Sequence, residues 1–316
     1  MSILVTGGAG FIGSHLCERL LLNGKKVYCI DDFNNYYDPE IKRHNINSLL
    51  DLDNFNLLEG DIKDNAFLES CFIKHHFEEI IHLAARAGVR PSLQNPLLYA
   101  EVNINGTLNL LELARKYKVL NFIFGSSSSV YGNNKKVPFS ESDKIHGMIS
   151  PYAITKQAGE NLCFNYNHLY GIPMTCLRFF TVYGPRQRPD MAIYKFTKLI
   201  YENKEIPMYG NGSAERDYTF IDDIIDGVVK ALGNRYPFEI FNLGESETIS
   251  LSNMINLIEK SLGKKAKVNS LPMQPGDVNI TFADINKAKR MLDYNPKTKI
   301  KDGIPIFVDW FLDNHK

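Results

Sequence analysis

Short apolar runs alternate with segments of helical period through the first half of the chain. Residues 3–5, 27–30, 55–58, 80–83 and 121–124 are such runs. They are apolar at consecutive positions, as strands are when helices cover both faces of a parallel sheet. Between the first two, Ile12, Leu16 and Leu20 fall four apart and define one helix face. Residues 173–179 read as a further strand that completes the sheet. Two longer helices are also expected, one over roughly 97–117 and one over 151–170. The second is well marked, because Ser150 is a good N-cap, Pro151 suits the first helical position and Gly171 stops the helix.

From Tyr183 onward Gly184, Pro185, Pro189, Pro207, Gly210, Gly212, Pro272, Pro275 and Gly276 break the chain into short helices and strands. The pattern predicts an α/β protein with a doubly wound parallel sheet over 1–182 and a smaller mixed α/β C-terminal domain over 183–316. Segment 220–242 is expected to pack back on the first domain.

A length of 316 residues agrees with two domains. Lys+Arg and Asp+Glu are equal at 36 each, so no overall field draws the chain to nucleic acid or to an anionic membrane surface, and an anionic ligand must be caught by local groups. No stretch approaches the ~18 apolar residues of a membrane span, and the first strand begins without a basic lead or long apolar region. A cytoplasmic protein is expected. Cys17, Cys29, Cys71, Cys163 and Cys176 are scattered and read as reduced core thiols. His75 and His76 have no partners at ligand spacing, so no metal is expected.

Thr6-Gly7-Gly8-Ala9-Gly10-Phe11-Ile12-Gly13 joins the first strand to the first helix. Gly7, Gly10 and Gly13 allow a tight turn, a backbone close enough to touch pyrophosphate, and a helix packed near the sheet, while Phe11 and Ile12 open the helix whose positive end faces the phosphates. The strand–turn–helix context separates this motif from an incidental glycine turn and predicts a Rossmann-type dinucleotide site. Asp31 ends the second strand, where a carboxylate bonds the adenosine ribose and repels a 2′-phosphate, so NAD is favoured over NADP. Asp32 is the second choice for that role. Asp61 and Ile62, after the third strand, are placed for the adenine edge, with an ordinary loop aspartate as the other reading of Asp61.

Tyr152 and Lys156 stand four apart on the capped helix and project from one face. A phenol with a pKa near ~10 is a poor base at neutral pH, and a neighbouring ammonium favours its phenolate. The serines 126–129 follow a strand, at the edge where α/β sheets hold ligands. Ser127 is the hydroxyl expected to share the substrate proton. Together the three residues point to oxidoreductase-type chemistry.

With these residues the chain resembles the extended short-chain dehydrogenase/reductase family, specifically its nucleotide-sugar epimerases and dehydratases. The likeness rests on TGGAGFIG (6–13), HLAA (82–85), Asn103-Ile104-Asn105-Gly106-Thr107, SSSSVYG (126–132), YAITK (152–156), RFFTVYGPRQRPDMA (178–192), RDYTFIDD (216–223) and MQPGDV (273–278). The last three motifs look most like the UDP-glucuronate 4-epimerases. The resemblance implies a catalytic set of Ser127, Tyr152 and Lys156 with Asn103 as internal support, and it places Leu83, Ala84 and Ala85 with Tyr152 and Lys156 beside the NAD. It implies Ser128, Ser129, Thr181, Arg186 and Arg188 near the sugar, Pro207, Met208 and Tyr209 as a uracil cradle, and Arg216 and Asp277 on the UDP phosphates and ribose. A homodimer paired through 97–117 and 151–170 is implied in the same way.

Thr181 and Gln274 stand where neutral-sugar 4-epimerases carry asparagine and arginine, and both fit the uronate branch. The 4,6-dehydratases and the UDP-glucuronate decarboxylases carry acids just before the Val-Tyr-Gly element, where this chain has Ser128 and Ser129. Removal and return of a hydride at C4, with the O4 proton taken by Tyr152, is therefore the expected reaction. A neutral UDP-glucose/UDP-galactose (or N-acetylhexosamine) 4-epimerase is the alternative. The 4-keto form of a uronate is a β-keto acid, so its carboxylate must be held away from alignment with the carbonyl, a task for arginine's planar fork. Arg188 is preferred over Arg186 for that task.

Overall fold

The computed structural model describes residues 1–272 and 278–315. Its main sheet has seven strands, six of which are β1 (Ser2–Thr6), β2 (Lys26–Asp31), β3 (Phe55–Glu59), β4 (Glu79–His82), β5 (Asn121–Ser127) and β6 (Met174–Phe179). The strand Phe238–Leu243 lies at the edge, giving the order Phe238–Leu243, β6, β5, β4, β1, β2, β3. β1 pairs in parallel with β2 and with β4, β2 with β3, and β4 with β5. The order reverses at β1/β4, the switch point at which doubly wound sheets hold ligands beyond their C-terminal ends. Ile3, Leu4, Val5, Ile80, Ile81, Phe122 and Ile123 are wholly buried. Their consecutive burial shows why these strands read as unbroken apolar runs rather than alternating ones.

Two compact units divide the chain. The first comprises Met1–Asn133, Lys144–Arg178 and Ile225–Phe241, and the second Asn134–Asp143, Phe179–Ile224 and Asn242 onward. The second has its own core, with Tyr194, Phe307 and Phe311 packed ring to ring along the helix Ile300–Asn314. It contains a three-stranded sheet in which Glu215–Phe220 lies between Thr248–Ser250 and Thr181–Tyr183, and a parallel pair Glu205–Tyr209 with Lys267–Leu271.

The helix Pro151–Tyr170 forms as its ends predict. The Ser150 hydroxyl accepts from the Ala153 amide at 3.2 Å and Gly171 closes the helix in the left-handed conformation at φ 68, a cap contributing about 1 kcal/mol. The expected helix over 97–117 differs. It starts as Pro96–Ala100, loosens into a π-turn over Glu101–Asn105, and resumes as Gly106–Lys116. The physical reason is Asn103, whose side chain turns inward to bond other segments.

Candidate active site

β1 delivers the chain into the glycine turn. Gly7 has φ +70, and its amide donates to the Ile30 carbonyl at 2.7 Å. A Cβ at Gly7 would lie 2.8 Å from the Ala84 nitrogen, and one at Gly13 would lie 2.1 Å from the Gly7 carbonyl oxygen. Both glycines are therefore required by close backbone approach. Gly10 is the N-cap of the helix Phe11–Leu22 and offers no side-chain cap, which leaves the first-turn amides for a ligand. Asp31 is buried at the end of β2, where its carboxylate accepts from the Ala9 and Phe33 amides at 3.1 and 3.0 Å, with Lys42 Nζ at 3.8 Å. Burial raises its pKa, while Lys42 and the two amides oppose the shift. Asp32 is exposed and turns to the Asn34 amide at 3.1 Å, so Asp31 is the carboxylate tied to the glycine turn.

At the end of β4 the Leu83 amide donates to the Thr6 carbonyl at 3.1 Å and the Ala84 amide to the Thr6 hydroxyl at 3.3 Å. Ala85 follows in the same loop, partly exposed. Asp61 accepts from the Lys63 amide at 2.8 Å, and Ile62 is buried, near enough to the start of the helix Gly106–Lys116 that a Cβ on Gly106 would meet it at 2.6 Å. Gly7, Gly10, Phe11, Ile12, Gly13, Asp31, Leu83, Ala84 and Ala85 thus gather at the C-terminal edges of β1, β2 and β4. A backbone cradle that a Cβ would fill, uncapped helix amides and a carboxylate at the strand end fit the phosphates and ribose of a dinucleotide.

The chemical groups lie on β5 and the helix Pro151–Tyr170. Ser127 ends β5 and caps the short 3-10 helix Ser128–Tyr131, its hydroxyl accepting from the Ser129 amide at 3.2 Å and donating to the Ser129 hydroxyl at 3.1 Å. The helix reaches β5 closely because Gly159 faces Phe124, and a Cβ there would lie 2.2 Å from the ring. Lys156 is buried, donates from Nζ to the Gly125 carbonyl at 2.6 Å and sits 5.0 Å from the Phe124 ring centroid. Burial lowers its pKa to about 8, with Glu160 opposing that shift. Tyr152, one turn earlier, sets its ring edge-on to Tyr99 at 6.2 Å.

Asn103 ties this region together. Its Oδ1 accepts from the Arg86 amide at 2.7 Å, and its Nδ2 donates to the Arg86 carbonyl and the Thr155 hydroxyl, both at 2.9 Å. Thr155 in turn donates to the Tyr152 carbonyl at 2.9 Å. Beneath it His82 is fully buried, 2.7 Å from the Thr6 hydroxyl and 2.9 Å from the Thr107 hydroxyl. Burial and Lys156 depress its pKa to about 3, so it is neutral.

In the second unit Thr181 opens the strand Thr181–Tyr183 and pairs with Tyr218, two residues from Arg216 on the adjacent strand. Arg216 donates to the Glu215 and Asn279 carbonyls at 2.8 and 3.4 Å. Arg186 has φ +62 in the loop it shares with Arg188. Arg188 forms a two-pronged pair with Asp190 at 2.9 and 2.7 Å. Pro207, Met208 and Tyr209 lie in the strand paired with Lys267–Leu271. Asp277 and Gln274 lie outside the described residues.

Sequence reasoning missed several groups. Lys42, buried beside Asp31, sits in a polar helix whose pattern gives no sign of it. Asp217, next to Arg216, is wholly buried and gathers the Glu245, Ser246 and Ala283 amides at 2.8, 3.0 and 3.1 Å. Its place beside Arg216 in the RDYTFIDD motif (216–223) was the available signal. Glu160 and Arg178, a buried ion pair at 2.7 Å, were also missed.

The family described as GDP-mannose 4,6 dehydratase matches residues 4–307. A UDP-glucuronate 4-epimerase of Thermodesulfobacterium geofontis is 44% identical over 98% of this chain and 96% of its own length. Among solved structures, the UDP-glucuronic acid 4-epimerase of Bacillus cereus, in complex with UDP-glucuronic acid and NAD, superposes with a TM-score of 0.93 at 39% identity, covering 100% of both chains. The UDP-glucose 4-epimerase of Thermotoga maritima with UDP-glucose gives 0.92 at 34% identity, again over 100% of both. By this match over nearly its whole length, the chain belongs to the GDP-mannose 4,6 dehydratase family of short-chain dehydrogenase/reductase-type nucleotide-sugar enzymes.

Proposed function

We propose that the chain is an NAD-dependent UDP-glucuronate 4-epimerase, interconverting UDP-glucuronate and UDP-galacturonate through a transient 4-keto sugar. The observation that carries this reading is the turn at the end of β5. Ser127, Ser128 and Ser129 bring hydroxyls and no carboxylate of their own to the helix bearing Tyr152 and Lys156, where an elimination would need an acid to expel a hydroxyl, and the neighbouring Glu160 carboxylate is engaged by Arg178. Full-length likeness to two UDP-glucuronate 4-epimerases supports it.

NAD, when bound, supplies a hydride acceptor for the sugar C4 and returns that hydride to either face of the ring. Gly7, Gly10, Phe11, Ile12 and Gly13 hold its pyrophosphate, Asp31 its adenosine ribose, Asp61 and Ile62 its adenine, and Leu83, Ala84 and Ala85 line the strand end beside it. Tyr152 takes the O4 proton beside Ser127 and gives it back in the reverse step. Lys156, as a buried ammonium, stabilises negative charge on the phenol oxygen. Arg216 and Asp277 grip the UDP, Pro207, Met208 and Tyr209 cradle the uracil, and Thr181, Ser128 and Ser129 contact the sugar. Arg188, preferred over Arg186, holds the uronate carboxylate out of alignment with the C4 carbonyl and so suppresses loss of CO2.

The NAD-holding residues belong to the first unit and the UDP-gripping residues to the second. The enzyme acts in the cytoplasm as a homodimer paired through 97–117 and 151–170, where Leu97 and Ile154 are 77% and 52% exposed; no described helix is long and apolar enough to cross a membrane. Proton NMR of UDP-glucuronate with the purified protein and no added cofactor tests the reading. It predicts growth of the galacturonate C4 signal, with UDP-glucose converted far more slowly. Faster conversion of UDP-glucose establishes instead a neutral-sugar 4-epimerase, the reading favoured by the likeness to the Thermotoga enzyme. Release of CO2 establishes a decarboxylase.

A further inference from the structure

A buried charged pair of the first unit lies just behind the candidate reacting groups. Glu160 lies one turn beyond Lys156, and Arg178 ends the buried run of β6. Both are essentially inaccessible, at 1% and 3% side-chain exposure. Arg178 Nε and Nη2 meet the two Glu160 oxygens at 2.8 and 2.7 Å. The Ser126 hydroxyl donates to Glu160 Oε1 at 2.6 Å. From its other edge Arg178 donates through Nη1 to the Tyr131 hydroxyl at 2.9 Å, with the guanidinium 4.8 Å from that ring's centroid.

Ser126 and Tyr131 are the two ends of the segment that contains Ser127, Ser128 and Ser129. We propose that Glu160 and Arg178 are positioning residues for the reaction. They clamp both ends of segment 126–131 and thereby fix the Ser127 hydroxyl against the helix that carries Tyr152 and Lys156. The proposal rests on the reading of those three as the reacting groups.

Removing two charges from water is costly, and a well-packed apolar pair often stabilises a core as well or better. What such a pair lacks is direction. A planar guanidinium fork facing a carboxylate sets angles as well as distances, and here it ties the helix to β6 while its spare bonds seize the segment after β5. The pair also bears on the charge of Lys156. Lys156 is faced by Glu160 and Cys163 from its own helix, by Cys176 from β6, by His82 from β4, and by the Gly125 carbonyl and Phe124 ring from β5, with Tyr152 one turn away. Glu160 supplies the carboxylate in that set, favouring the ammonium that burial disfavours.

Three variants test this in the full-length, NAD-loaded enzyme, with Tyr152→Phe as control. Ser126→Ala/Tyr131→Phe releases the segment and leaves the ion pair intact. The expected result is a fall in kcat of about 10- to 100-fold with KM for the sugar nucleotide within about threefold, as small misplacements of a reacting group produce. Glu160→Leu/Arg178→Met, which also strips the buried Ser126 and Tyr131 hydroxyls of these partners, is expected to show the same loss of kcat. Glu160→Gln withdraws an anion from Lys156, so the alkaline limb of kcat is expected to move to lower pH by about half a unit or more. Unchanged kcat in Ser126→Ala/Tyr131→Phe, or an unmoved limb in Glu160→Gln, overturns the proposal even if the apolar pair fails to fold. Parent-like kcat in Tyr152→Phe instead removes the reading on which it rests.

Discussion

Around β5 and the helix Pro151–Tyr170, polar side chains are locked by buried partners: Asn103 makes three bonds, Lys156 is held on a backbone carbonyl, and His82 lies between two hydroxyls. In the second unit the arginine proposed to hold the uronate carboxylate has an accessible partner. Arg188 is paired with an Asp190 that is 43% exposed, and Arg216 with two backbone carbonyls. The difference follows from the two tasks. Proton transfer tolerates little displacement, so its groups are fixed before any ligand arrives. Gripping an anion needs a cation able to trade one carboxylate for another, and an accessible ion pair, contributing little to stability, is easily exchanged.

That contrast is broken or sharpened by substitution on each side. The largest effect is expected for Tyr152→Phe, which removes one oxygen from the fixed region. Turnover of UDP-glucuronate should fall by about 10²- to 10⁴-fold, while the nucleotide content of the purified protein is unchanged. Turnover within threefold of the parent removes Tyr152 from proton transfer. Next comes Arg188→Ala in the exchangeable region. Uronate turnover should drop by about 10- to 100-fold, the scale of one or two charge-assisted bonds, with UDP-glucose turnover and NAD binding unaffected. Equal loss with both sugars assigns Arg188 to the UDP or to the fold instead.

The smallest effect concerns stability. His82 is neutral in the fold, with its pKa near 3, against an ordinary value near 6.5. As pH falls below about 6.5 the unfolded chain binds a proton that the folded chain refuses, so stability declines toward pH 3 by up to about 1.4 kcal/mol per unit. Melting measured from pH 7 to pH 5 should show this slope, and His82→Gln should flatten it. An identical slope in the variant places the acid sensitivity elsewhere.

Much of the fixed region was legible in the sequence, because its elements announce themselves locally. Consecutive apolar residues marked β1 to β6, the glycine spacing marked the turn, and Ser150-Pro151 with Gly171 bounded the helix. What was not legible depends on long-range pairing. Asn103 was singled out only through motif resemblance, and the π-turn that interrupts residues 97–117 around it, with its bonds to Arg86 and Thr155, had no local signal. Glu160 and Arg178 carry no signal of their pairing, because one lies on a helix and the other in a strand, and only the packing of that helix against β6 brings them together. The edge strand Phe238–Leu243 was hidden because Glu239 and Asn242 interrupt its apolar residues and its first half is only partly buried. In the second unit the arginines were found through motif resemblance, because short elements with frequent glycine and proline give periodicity little to act on.

In the proposed reaction one hydride leaves C4 and returns to the same carbon within a single protein molecule. UDP-glucuronate carrying deuterium at C4 measures this directly. After conversion in ordinary water, with no cofactor added, UDP-galacturonate should retain the whole label at C4, and no reduced NAD should accumulate in solution. Loss of the label to solvent, or release of one NADH for each sugar consumed, would contradict the account.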